Sequence, residues 1–150
     1  MKRESEIVGY TGIIPLKGDK IEQILRDEAF MKDVTPEEIG EFQPGKPLDL
    51  YVMTLVLRPD LSIADKHVYG ARLIASLLDK LMELGKRGIE IRKVFARSGT
   101  LDGILLLQHM GFTSIHTTTN QQNFVIDVEH SGLPIIQHYK EALRQAQENQ

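Results

Sequence analysis

From Leu50 to Phe112 the chain reads LYVMTLVLRPDLSIADKHVYGARLIASLLDKLMELGKRGIEIRKVFARSGTLDGILLLQHMGF, a strand–helix–strand–helix pattern around which the rest is arranged. Leu50 to Arg58 sets Tyr51, Met53, Leu55 and Leu57 against Leu50, Val52, Thr54 and Val56, apolar on both faces. Such a run fits a central strand covered on two sides, and Pro59 is expected to end it. Between about Ala64 and Leu84 the stripe Gly70, Leu73, Ile74, Leu77, Leu78, Leu81 and Leu84 opposes Ser76, Asp79, Lys80, Glu83 and Lys86. That spacing predicts an amphipathic helix, stopped by Gly85 and Gly88. Ile89 to Ala96 is β-rich, and Thr100 to Met110 reads as a short helix closed by Gly111.

The flanks follow the same logic. Ile7 to Leu16, IVGYTGIIPL, predicts one strand, with Gly9 and Gly12 as places for a bulge. Asp19 and Glu22 form a D-x-x-E capping pair before Ile21, Ile24 and Leu25, predicting a helix over Lys20 to Ala29. In TPEE, Thr35 is the expected N-cap of a turn or two, with Pro36 first and Glu38 closing the capping box. The connector QPGKP, Gln43 to Pro47, leads to the central strand. Phe112 to Thr119 and Phe124 to Glu129 predict an antiparallel hairpin turning near Asn120 to Asn123. Ser131, Gly132 and Pro134 introduce a last helix with Leu133, Ile136, Tyr139, Ala142 and Leu143 as its apolar stripe, and the QAQENQ end is expected to fray.

Composition narrows the partners. With 150 residues, 41% hydrophobic and 26% charged, the chain matches one ordinary globular domain, 1–150. A net charge of −3 and no basic run disfavour nucleic acid and an anionic membrane surface. No apolar run approaches spanning length, and MKRESEIVGY lacks a signal-peptide core. Zero cysteines exclude disulfides, thiolate metal sites and a cysteine nucleophile, and fit a cytoplasmic address. His67, His109, His116, His130 and His138 show no metal-ligand spacing, so no metal site is expected.

A parallel β-α-β unit offers backbone N–H groups at the carboxyl edge of its first strand and at the start of its helix, where an anionic ligand can sit. The order IVGYTGIIPL, two capped turns, LYVMTLVLRP, a long helix ending at GKRGI, then SGTLDGILLLQHMGF resembles the GNAT-type N-acetyltransferases over about Ile7 to Glu129. The resemblance implies an α/β (α+β) domain: a mixed, mostly antiparallel central sheet, helices on both faces and a C-terminal helix. It implies acetyl-CoA, or another acyl-CoA, as co-substrate, with acetyl transfer to a small-molecule or protein amine. In this family the central strand splays from its neighbour at a bulge to admit the cofactor. By resemblance, Leu55, Val56 and Leu57 contact the pantetheine arm. The loop Leu61 to Arg72, with Lys66, His67, Gly70, Ala71 and Arg72, faces the phosphates, and Thr100 and Gly103 lie beside the arm. Such an enzyme aligns thioester and amine, removes an amine proton and stabilises an oxyanion.

Three departures accompany the resemblance. HVYGAR, His67 to Arg72, keeps Gly70 but places Arg72 where the family's phosphate loop carries a small residue, which lets the backbone approach a diphosphate. The tyrosine that often serves as general acid falls at Leu107. By the resemblance, the family's first strand and first two helices, which shape the acceptor pocket, are expected to lack a counterpart, leaving a sheet face for Asp19 to Phe42, the last helix or a second copy in a homodimer to cover. No catalytic residue is assigned on these grounds. A catalytically inactive acyl-CoA-binding, regulatory or protein-interaction module is the alternative. Lys66, His67, Gly70 and Arg72 fit an anion clamp or an exposed helix start; Ser98-Gly99-Thr100 fits a helix cap or a ligand-contacting turn. Tyr51 and Thr54 on the central strand fit packing or surface roles ahead of acceptor contacts, and Asp49 or Glu90 a surface role ahead of a base.

Overall fold

The computed structural model describes residues 2–3, 6–7, 9–57, 60–118 and 121–149. In chain order these form β1 (Lys2–Arg3), β2 (Glu6–Ile7), β3 (Gly9–Pro15), α1 (Lys20–Leu25), 3-10 turns at Met31–Asp33 and Pro36–Glu38, then β4 (Leu48–Leu57) and α2 (Ile63–Lys86). They continue as β5 (Ile91–Ser98), α3 (Leu101–His109), β6 (Thr113–Thr117), β7 (Gln122–Asp127) and α4 (Pro134–Glu148). β1 and β2 pair with each other, and the other strands make one sheet in the order β3-β4-β5-β7-β6. β4 and β5 run parallel; β3–β4, β5–β7 and β6–β7 are antiparallel. The expected mixed, mostly antiparallel sheet with a C-terminal helix is the architecture found.

Alternation along the strands divides the side chains between two faces. Leu48, Leu50 and Val52 of β4 join Val94, Ala96, Phe124 and Ile126 against Leu77, Leu81 and Leu84 of α2, Leu107 of α3, and Ile136 and Tyr139 of α4. Tyr51 points the other way, into a smaller core with Leu16, Ile21, Ile24 and Leu25, flanked by Ala29, Met31, Val34, Ile39 and Phe95. The segment after Asp19 therefore covers the second face, one of the occupants expected for it. On β5, Ile91 pairs with Leu48 but Val94 with Leu50, so one extra residue keeps Ile91 and Val94 on the same buried face.

Tyr139 fixes α4 to this frame. Its hydroxyl donates to Ile89 O at 2.6 Å and accepts the Ile91 N–H at 2.6 Å, joining the last helix to the entrance of β5. Gly85 of α2 makes room for the ring: a Cβ there would lie 2.9 Å from Tyr139 Cδ2 and 3.1 Å from its carbonyl oxygen.

Several boundaries differ from the sequence reading. Of the predicted Ile7–Leu16 strand, Ile7 falls in β2 and Gly9–Pro15 form β3, Leu16 bridges to Ile39, and Val8 lies outside the described residues. α1 ends at Leu25 rather than Ala29, since Asp27 turns the backbone to φ 61°. Asp19 makes no side-chain cap; its carboxylate accepts from Gln23 Nε2 instead. Thr35 does behave as read, its N–H and hydroxyl both donating to the Glu38 carboxylate. α4 continues to Glu148 where fraying was expected, because Arg144 engages both Glu141 and Glu148. Pro59 and Asn120, expected to end a strand and begin a turn, lie outside the described residues.

Candidate functional site

The parallel ladder between β4 and β5 is short. Its pairs are Leu48↔Ile91, Leu50↔Val94 and Tyr51↔Phe95, and among the described residues the two strands show no further pairing to each other beyond these. Beyond that point, among the described residues, β4 pairs with β3, from Gly12↔Thr54 to Gly9↔Leu57, and β5 with β7, through Ser98↔Gln122. A fork thus opens between the carboxyl halves of the two inner strands.

Its cause lies in the register. Gly12 pairs with Thr54 while the next residue, Ile13, pairs with Val52, leaving Met53 as an extra residue on β4. A bulge bends its strand and increases local twist, and this one falls two residues after Tyr51, the last partner of β5. The bulge anticipated at a glycine is therefore opposite Gly12, with the inserted residue on the partner strand. Leu55, Val56 and Leu57 lie past it. Their backbone edge towards β5 carries no strand partner among the described residues, leaving an extended edge of the kind that binds extended ligands.

Two helix starts meet beside the fork. Ser62 caps α2, its Oγ accepting the Asp65 N–H at 3.1 Å; Thr100 caps α3, its Oγ1 accepting the Gly103 N–H at 3.2 Å. Lys66 Nζ of α2 lies 3.2 Å from Asp102 Oδ2 of α3, which brings the two starts together. Helix starts favour anions through their N–H groups. Here Asp65 and Asp102 in the first turns, with Lys66 already paired, oppose that attraction.

The predicted phosphate-facing loop is mostly helix, because capping by Ser62 starts α2 at Ile63. His67, Ala71 and Arg72 occupy its exposed side, and Arg72 stacks over the Tyr69 ring at 5.6 Å. Gly70 is buried within the helix, and only Lys66 of the basic trio reaches α3. Thr100 takes the capping role. Gly103 is explained by Ser98, whose Oγ would lie 2.2 Å from a Cβ at that position. Leu107 is 1% exposed within the main core and supplies no proton. Asp49, 3.5 Å from Arg92 through its carboxylate, and Glu90 stand at the paired end of the ladder, opposite the fork.

The second face of the fork holds polar residues that sequence patterning passed over. Arg97 Nη1 donates to Ile24 O at 2.6 Å, while Nη2 reaches Thr118 Oγ1 at 3.2 Å and Asp27 Oδ1 at 3.0 Å. Its cross-strand partner Asn123, fully buried, donates from Nδ2 to Leu25 O at 2.9 Å. Asn123 thus supplies a donor to Leu25 O at the end of α1, while Arg97 adds a second donor to Ile24 O, which also accepts the Asp27 N–H at 3.1 Å. Burial pushes the hydroxyl of nearby Tyr51 up in pKa, partly offset by the Arg97 charge. The available signal was one Arg and one Asn in apolar strand runs, VFARS and QNFVI.

No family model and no curated protein matches the chain. Among the described residues, no helix is long and apolar enough to cross a membrane.

Proposed function

We propose that this chain is a cytoplasmic GNAT-like domain that binds acetyl-CoA, or another acyl-CoA, in the β4–β5 fork and transfers the acyl group to a small-molecule or protein amine. The observation that carries the reading is the parting of the parallel β4–β5 pair after Tyr51 and Phe95, beside the bulge at Met53. An extended pantetheine arm carries amides that can pair with the free edge at Leu55 to Leu57, as an added strand would. The adjoining starts of α2 and α3 provide N–H groups towards a diphosphate, with Lys66 as the nearest cation and Thr100 and Gly103 on the α3 side. In this reading the enzyme works by alignment: the thioester is held between the strands and the amine approaches its carbonyl.

A second reading is favoured by Leu107 and the pairing of Lys66. A buried leucine in place of a proton donor, and a phosphate-side lysine engaged by Asp102, suit a domain that binds acyl-CoA for regulation or protein interaction without turnover. Isothermal titration with acetyl-CoA and with CoA tests the shared premise. Heat that saturates at micromolar to millimolar ligand supports the fork as the donor site; no heat at millimolar ligand removes both readings. If binding is present, release of free thiol in the presence of a panel of amines separates transfer from binding alone.

A further inference from the structure

Arg97 and Asn123 face each other across the β5–β7 ladder, and each leaves one buried polar atom unused. After the bonds to Ile24 O, Leu25 O, Thr118 and Asp27, Arg97 Nε and Asn123 Oδ1 have no partner among the described residues. One is a donor and the other an acceptor, on adjacent side chains of one sheet face. Swapping the Asn123 amide does not help, since it would set Oδ1 against Leu25 O and lose the 2.9 Å bond.

The geometry points to a hydroxyl-binding site between Arg97 Nε and Asn123 Oδ1. The occupant must accept from the guanidinium and donate to the amide oxygen. A carboxylate has no hydrogen for Asn123, and an ammonium has no lone pair for Arg97. A hydroxyl supplies both from one atom, and buried polar groups in proteins are regularly completed this way by water. The site adjoins the fork, because Arg97 lies two residues beyond Phe95, where β5 has left β4. The hydroxyl therefore comes either from a resident water or from a ligand that reaches the second face of the fork. The site stands on this side-chain arrangement, whatever the fork itself binds.

Crystals of the full chain, diffracting well enough to place single waters and grown without polyols, test it. The expected result is one peak within about 3.2 Å of both atoms. Soaking with ethane-1,2-diol separates the sources: a retained water marks a closed structural site, whereas replacement by a diol hydroxyl marks one open to ligands. Two side chains bonded directly to each other, or no density between them, would overturn the proposal.

Discussion

Lys66 and Asp102 tie the first turn of α2 to that of α3, with 3.2 Å between Nζ and Oδ2. Asp102 is largely exposed, and such a pair contributes little to stability, about 0–1 kcal/mol. Its effect on an incoming anion is larger in kind, because it neutralises the cation nearest the proposed diphosphate. Asp102→Asn is expected to shift Tm by no more than about 4 °C. It should strengthen CoA binding roughly two- to fivefold, or about 0.4–1 kcal/mol. Titration calorimetry of both proteins measures this; weaker binding in the variant would place the phosphates elsewhere.

Tyr139 is the counterpart of that exposed pair in the interior. Tyr139→Phe keeps the ring but leaves the Ile91 N–H and Ile89 carbonyl without their 2.6 Å partners, an expected loss of roughly 2–4 kcal/mol in urea unfolding. Burial lifts the Tyr139 hydroxyl to about 12 from its ordinary 10.0, with the Glu90 charge adding to the rise and the Ile91 bond opposing it. A proton held more tightly in the folded chain stabilises fully below about pH 10, and that contribution fades as pH climbs towards 12. The variant should therefore show a shallower alkaline decline between pH 10 and 12 than the parent, measured by denaturation at each pH.

Gly103 separates packing from ligand contact. Alanine in a helix is ordinarily about 1 kcal/mol better than glycine. At this position the new methyl would meet Ser98 Oγ at 2.2 Å, so Gly103→Ala is expected to destabilise. Removing the hydroxyl as well, in Ser98→Ala/Gly103→Ala, should recover at least half of the loss. Additive losses in the double variant would show that the Ser98 hydroxyl is not the obstacle.

Arg97 joins the α1 segment to the sheet. Arg97→Met preserves length while deleting the bonds to Ile24 O and Thr118 and the pairing with Asp27. Amide exchange should accelerate over Ile21–Ala29 and remain near parental rates in β5 and β7. Uniform acceleration across the sheet would show that the segment and the sheet open as one unit.

Much of this architecture is written in local periodicity. The leucine spacing of α2 and the two-sided apolar run of β4 exposed the β-α-β unit because both periods persist over many residues. Register is another matter. That Met53 is inserted, and that β4 leaves β5 after Tyr51, depends on pairings with Gly12 and Phe95 that no local pattern encodes. The same holds for Lys66 with Asp102, and for Arg97 with Ile24. Sequence spacing placed Lys66, His67 and Arg72 together as one basic group; the helix begun by Ser62 separates them by rotation, leaving His67 and Arg72 exposed. Asp19 read as a cap because its spacing to Glu22 fits, yet its carboxylate accepts from Gln23 instead.

The carbonyl of Leu25 at the end of α1 takes its donor from Asn123, 98 residues along the chain, and that of Ile24 takes a second donor from Arg97, 73 residues along. Ribosomes add roughly 5–20 residues each second, so Leu25 is made on the order of 5–20 s before Asn123. During synthesis Ile21, Ile24 and Leu25 emerge as a greasy patch with no sheet to settle on. Cellular yield of this protein should therefore respond to translation speed and to chaperones that shield nascent chains.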